Sequence, residues 1–500
     1  MRDGVGKSPS IPAPEADGGV RSLLWWRRCA GPLVRRWMPP KAKLLPRSPS
    51  ASVALAVPAA PPGTFPPDSA GGLEWLRGFL AARSPTAVVV GEGVAETGAP
   101  WQTLRLVSQT WRGVAWVHEL DVVFPAAPAS RGPMLLWVGS GSSAELPAAD
   151  GSLEHPPRGV GWLAGLVAAT GLPAAMIRQV PFQPMFGGMV EDDLIAHSFM
   201  EFVRSGEPDW PLLLPMARAV VAAMDVAGQV ADGAGIGVDG FVLAGSSKRG
   251  WASWLAAAAD SRVVGLVPAV IDMLRLERHV PLQLATFGGR MSQMLDDYTS
   301  RGIEQILLTK RGRELVDVVD PWSHRAVLGL PKIVALGTND PYWPLGALDL
   351  YRDGLPGLTA VSYAPNAGHG IPADRLAGLL AALVLHAAGR CPLPTLAWTF
   401  DADPAGITAR LTCDEPPAEV SLWQATADGP DFRLARWRPT PHRIESNADG
   451  RWVIPLPADT ARWTGSLVEC RFDRAPHPLC LSTSVHRHPP ASLAPSAATR

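Results

Sequence analysis

The sequence predicts an α/β fold: a mostly parallel sheet with helices and a helical cap insertion, followed by a small all-β domain. Three observations carry this. Short continuous apolar runs alternate with helical segments from about residue 130 to 388, the pattern of strands buried on both faces and joined by helical crossovers. A strand, a turn of small residues and a helix follow one another around Gly245-Ser246-Ser247-Lys248-Arg249-Gly250. From Cys391 the texture changes to short alternating segments separated by Pro, Asp and Gly, which favours antiparallel sheets.

Composition bounds the function. Five hundred residues exceed one simple core. A formal net charge of −1 gives no electrostatic case for nucleic acid. No run of 18 apolar residues marks a membrane-spanning helix. Cys29, Cys391, Cys413, Cys470 and Cys480 form no C-x-x-C pair, so neither a metal nor a cofactor is expected. Cys470 and Cys480 flank an expected hairpin and could bridge in an oxidising compartment. Oligomeric state is not encoded in any visible pattern.

The first 66 residues read as an unstructured leader and linker rich in Pro and Gly. Arg35, Arg36, Lys41, Lys43 and Arg47 precede an Ala-rich apolar stretch at 51–60, the order of a secretory signal if translation starts near Met38. This favours export, periplasmic or secreted, over a cytoplasmic location. The α/β domain spans 67–390. A helix is expected at 73–83 and strands at 103–108, 114–124 and 133–138. The last of these ends in the N–H-rich loop Gly139-Ser140-Gly141-Ser142-Ser143. Next come a helix at 161–170 and a strand at 174–181. Helices follow at 191–203, with Glu191, Asp192 and Asp193 suiting the dipole of its first turn, and at 211–226. A connection at 228–240 leads to the strand 241–246. Further strands are expected at 263–271, 331–336 and 358–363, and a closing helix at 373–388. The insertion at about 273–330 reads as helical. Short strands between 395 and 485 compose the all-β domain, 391–487, which has sandwich-like alternation. The tail 488–500 reads as unstructured.

A serine becomes nucleophilic beside a base, and the base needs an orienting acid. Ser247, Asp340 and His369 each follow an expected strand, in the chain order of an α/β-hydrolase triad. Asp272, also at a strand end, is the alternative acid, and His324 in the insertion a weaker rival base. Asp340 could instead only cap the turn at Pro341. The oxyanion would meet the N–H of Lys248 and N–H groups of the loop at Ser140 and Gly141. Arg249, Trp251, Tyr342 and Trp343 are candidate substrate contacts; Lys248 and Arg249 could equally pair with acids beneath the cap. The expected activity is a serine hydrolase cleaving a carboxylic ester through an acyl-enzyme, its substrate a small-molecule, carbohydrate or cell-envelope ester. A peptidase of the same fold and a non-catalytic binding protein are the rivals.

The glycine of a common elbow stands two residues after the serine; here Arg249 is there and Gly250 comes one later. Glu191-Asp192-Asp193-Leu194-Ile195-Ala196, Trp210-Pro211-Leu212-Leu213-Leu214-Pro215-Met216, Ser247-Lys248-Arg249-Gly250-Trp251, Val267-Pro268 with Val270-Ile271-Asp272, Pro365-Asn366 with His369, and Asp431-Phe432-Arg433 resemble the PhoPQ-activated pathogenicity-related protein family from about 100 to 487. That family usually has an acidic, aromatic-rich stretch where this chain reads Pro341-Tyr342-Trp343-Pro344. The resemblance implies an α/β-hydrolase fold with a C-terminal β module and an exported location, and it includes the arginine variant of the elbow. A more distant likeness to glucuronoyl esterases implies a substrate bearing a sugar or a carboxylate.

Overall fold

Successive side chains of a strand point to opposite faces, and here both faces of the main sheet are filled. The structure, a computed structural model, describes residues 53–54, 69–127, 131–146, 157–403, 406–440, 445–446 and 450–493. The expected leader lies outside these residues except for Val53–Ala54, as do Cys29 and the tail beyond 493.

The α/β part begins with β1 (Val53–Ala54), α1 (Ser69–Ala81), β2 (Thr86–Val94), β3 (Pro100–Trp111), β4 (Val114–Val123) and β5 (Gly132–Val138). It continues through α2 (Arg158–Thr170), β6 (Ala174–Ile177), α3 (Glu191–Ser205), α4 (Leu213–Gly233), β7 (Val238–Ser246), α5 (Lys248–Ala259) and β8 (Val263–Ala269). The insertion carries α6 (Leu276–Thr286), α7 (Asp296–Thr299), α8 (Ile303–Ile306) and α9 (Lys310–Val319). Then come β9 (Lys332–Gly337), β10 (Thr359–Ala364) and α10 (Ala373–Ala387).

These strands form one sheet in the order β1-β2-β3-β4-β6-β5-β7-β8-β9-β10. From β6 to β10 all neighbours are parallel. The antiparallel β1–β4 extend one end, joined through β4 and β6. This is an α/β-hydrolase-type sheet. Its continuous apolar strands serve two cores at once: Leu136, Leu243, Leu266 and Val334 pack with α1, α4 and α5, while Leu135, Val242, Val267 and Ile333 pack with α2 and α10.

Four differences from the sequence expectation have local causes. β2 interrupts its apolar pattern with Gly91-Glu92-Gly93, and its register shifts between Val89 and Gly91. The strand expected to reach residue 181 stops at Ile177, because Gln179 turns to φ 57° and donates its N–H to Ser140 O. α4 runs on to Gly233, burying Ala231 where a connection is expected. Although α4 lacks an unbroken apolar run, it is long and apolar enough by composition to cross a membrane, but 78% of its apolar window lies inside the protein, as in a core helix.

The all-β region contains β11 (Leu396–Asp403), β12 (Gly406–Cys413), β13 (Glu419–Ala427), β14 (Arg438–Pro439), β15 (Trp452–Leu456), β16 (Trp463–Phe472), β17 (Leu479–Ser482) and β18 (His486–His488). β11-β12-β15 form one antiparallel sheet; β14-β13-β16-β17, with β18 on β16, form the other. Leu411 and Ile454 of the first share a core with Leu422 and Val468 of the second. The region docks on the sheet edge: the Tyr363 N–H donates to Ser482 Oγ at 2.9 Å, and Arg375 of α10 pairs with Glu469. Cys470 lies opposite Leu481, and Cys480 opposite Arg471. The two thiols therefore face opposite sides of the sheet and both are free, so the bridge considered from sequence does not form. In the expected tail, Ala491–Leu493 makes a short turn that donates the Ala491 N–H to Thr460 O.

Candidate active site

The parallel register sets the level of the site. Gly245 of β7 stands beside Val138 of β5, Ser246 beside Ala269 of β8, and Ala364 of β10 beside Gly337 of β9. Ser247, Asp340 and His369 therefore all leave the sheet at its carboxyl edge.

Ser247 sits between β7 and α5 with φ 57° and ψ −133°, a backbone state costing a residue with a side chain of order 1–3 kcal/mol. Two glycines permit the sharp turn. A Cβ at Gly245 would come within 2.9 Å of the Arg249 backbone, and one at Gly250 within 2.7 Å of Gly245 O. This accounts for the late glycine. The helix face that meets the strand is that of residue 250, while residue 249 is free to carry a long side chain away from it.

His369 joins the other two. Its Nε2 is 2.9 Å from Ser247 Oγ, and its Nδ1 lies 3.0 and 2.9 Å from Asp340 Oδ1 and Oδ2. Asp340 is buried and also accepts the Tyr342 N–H at 2.8 Å, so it caps its turn and faces the histidine together. The alternative acid, Asp272, is bonded elsewhere. It accepts the Tyr351 hydroxyl at 2.7 Å, and burial pushes its carboxyl up to about 8. The rival base His324 is buried against Val318 O, 3.2 Å away, and burial holds its imidazole below the usual range.

The charges after the serine turn inward. Lys248 Nζ reaches Glu191 Oε2 at 2.9 Å and Asp192 Oδ2 at 3.0 Å. Arg249 grips both oxygens of Glu191 and donates through Nε to Val180 O. Burial pushes the Glu191 carboxyl up, but the Arg249 guanidinium, helped by Lys248, outweighs it and holds the group well below the usual carboxylate range. Arg249 as a substrate contact is thus corrected: both its ends are occupied by the protein. So is Trp251, buried with its indole N–H on Val319 O. Tyr342 lies over His369 and reaches Asp192 Oδ2 at 3.4 Å, while Trp343 packs edge-on against His279.

On the expected oxyanion side, Ser140 O accepts the Gln179 N–H and Gly141 O accepts Gln183 Nε2. The N–H groups of Ser140, Gly141 and Lys248 have no protein acceptor among the described residues. Gln183 also donates to Glu191 Oε1 at 2.7 Å and accepts its N–H at 2.8 Å. One bonded network thus runs from the loop to the first turn of α5. Glu191, Asp192 and Gln183 are the anchors that sequence reasoning missed. The three consecutive acids look like dipole partners, but Glu191 lies at φ 52° and all three are ion-paired, Asp193 to Arg301. A buried Lys-Arg pair without nearby acids was the available signal. Among the described residues no group of three or more His, Cys, Asp or Glu is placed to hold a metal ion.

Autocrine proliferation repressor protein A of Dictyostelium discoideum is 27% identical over 404 residues, covering 74% of this chain and 80% of that protein. Among solved structures, acetyl xylan esterase 1 from Thermoanaerobacterium sp. aligns at 16% identity and a TM-score of 0.45, over 64% of this chain and 96% of the other. An S-formylglutathione hydrolase from Agrobacterium tumefaciens aligns at 11% identity and a TM-score of 0.39, over 60% and 99%. The sequence model of one family covers residues 84–433, well over half of the chain, so this protein belongs to the PhoPQ-activated pathogenicity-related protein family.

Proposed function

We propose that this protein is a serine ester hydrolase. The reading rests on one observation: the unbroken chain of hydrogen-bond distances from Ser247 Oγ through His369 to Asp340. His369 Nε2 takes the serine proton as Oγ attacks an acyl carbon. Asp340 holds the Nδ1–H tautomer and stabilises the imidazolium. The anionic oxygen of the tetrahedral intermediate meets the Lys248 N–H, assisted by Ser140 or Gly141; loss of one such donor commonly costs about 100-fold in rate. His369 then protonates the departing alcohol, and water releases the acid from the acyl-enzyme by the same steps in reverse. Small acyl esters and esters of carbohydrates or cell-envelope components are the substrate classes proposed.

A fluorophosphonate probe tests this directly. It should label the wild-type protein and fail to label Ser247→Ala. Well-folded wild-type protein that stays unlabelled would sink the hydrolase reading and favour a binding role on this fold.

A further inference from the structure

Asp340 and His369 stand on loops that hold each other. A Cβ at Gly337 would lie 2.3 Å from Gly368 O, the Asn339 N–H donates to Ala367 O at 2.9 Å, and the Asn366 N–H donates to Thr338 Oγ1 at 2.8 Å. None of these contacts fixes the pair against Ser247, which follows β7, a strand separated from β9 by β8. Two asparagines reach away from the loops, and both reach the same place. Asn339 Nδ2 lies 3.2, 3.1 and 2.7 Å from the carbonyls of Phe432, Arg433 and Ala435. Asn366 bonds the Trp437 backbone in both directions, donating to its carbonyl at 3.0 Å and accepting its N–H at 2.8 Å. The Thr338 hydroxyl ties the two together by donating to Asn339 Oδ1 at 2.8 Å.

The segment they grip is itself anchored. Phe432 and Trp437 are buried, with ring centroids 6.1 Å apart. Arg433 pairs with Asp431, lies 4.0 Å over the Phe287 ring of the insertion, and reaches Ser292 Oγ at 3.5 Å. Ser292 in turn donates to Pro341 O, next to Asp340. Asp431-Phe432-Arg433 thus binds the all-β region, the insertion and the acid loop at one point.

We propose that residues 432–437 of the all-β region position the acid and base of the site, with Asn339 and Asn366 as the positioning residues through which they act. The catalytic part of this inference rests on the hydrolase reading above. Asn366 is exposed and at φ 60°, so Asn366→Gly removes the clamp while leaving the backbone relaxed. A displacement of about 1 Å at a reacting group can cost about 100-fold in rate.

The test compares wild type, Asn339→Ala, Asn366→Gly and Arg462→Ala, the last an exposed control whose side chain pairs with Asp428. Hydrolysis of p-nitrophenyl acetate and hydrogen–deuterium exchange are measured on each. Both asparagine variants should lose about 10-fold to 100-fold in kcat with KM within about twofold. Exchange should rise in peptides covering 337–345 and 364–371 while β5 and β7 stay protected, and the control should match wild type. Unchanged exchange in the two loops, or kcat within about twofold of wild type, overturns the proposal. If wild type neither hydrolyses the ester nor takes the probe, the hydrolase reading fails and the exchange arm still decides whether the clamp positions the loops.

Discussion

The Tyr342 ring lies 4.1 Å, centroid to centroid, from the His369 imidazole, tilted by 32°. The ring covers the imidazole while the Tyr342 N–H holds Asp340. Burial and the Asp192 charge keep its phenol protonated far above neutral pH. Such a ring pair is worth about 0.5–1.5 kcal/mol. Tyr342→Ala should therefore lower kcat on p-nitrophenyl acetate by up to about 10-fold. Tyr342→Phe should stay near wild type, since the hydroxyl makes only a 3.4 Å contact with Asp192.

The two candidate acids separate cleanly by isosteric replacement. Asp340→Asn gives His369 a partner that favours the wrong tautomer and should lower kcat by about 10⁴-fold. Asp272→Asn should leave kcat nearly unchanged, because its partner is Tyr351.

Asp272 also gives a signature in stability. Burial raises its folded value from 3.8 to about 8. Between these values the unfolded chain releases a proton that the folded chain keeps. Its contribution is therefore fully present below about 4 and is lost progressively as pH rises to about 8. Asp272→Asn should remove that slope. Thermal denaturation at pH 5 and pH 8 would show a smaller drop in Tm for the variant than for wild type.

Glu191→Gln leaves Lys248 and Arg249, both under 10% exposed, without their shared carboxylate. Breaking a fully buried pair costs about 3–5 kcal/mol. The Glu191 side chain is 35% exposed, so a loss of about 2 kcal/mol is expected after allowance for solvent screening. Because its carboxyl is held low, this contribution persists above the ordinary glutamate range and fades as pH falls below it. Urea unfolding at pH 7 should register the loss, and the gap between variant and wild type should shrink in acid.

Gly250→Ala places a methyl 2.7 Å from Gly245 O and 2.8 Å from Ile271 Cγ2. The strand–helix crossing must open, at about 1–3 kcal/mol, and Ser247 moves with it. The variant should label slowly with a fluorophosphonate and melt at a lower temperature. Arg249→Gly, which restores the common spacing, should not rescue it.

What the sequence made legible follows the range of each interaction. The meeting of Ser247, Asp340 and His369 could be read because each follows an apolar run, and parallel strands bring such ends to one edge. The partners of Lys248 and Arg249 could not, since Glu191 and Asp192 lie 57 and 56 positions away from Lys248 and no local pattern encodes that meeting. β2 was missed for the opposite reason: Gly91-Glu92-Gly93 erases the alternation that a bulged strand still satisfies through its backbone. Asn339 and Asn366 look like ordinary turn residues. Their bonds run to residues 432–437, in a region whose own strands give no hint of the attachment.

The bonds from residues 432–437 to the loops of Asp340 and His369 also have an order in time. Chains are made from the amino end, so the elbow and its strands leave the ribosome well before Trp437 does. A nascent chain holding Ser247, Asp340 and His369 still lacks the segment that fastens two of them. If Ser247 acts as proposed, its acid and base are fastened only once residues 432–437 have been made and have docked.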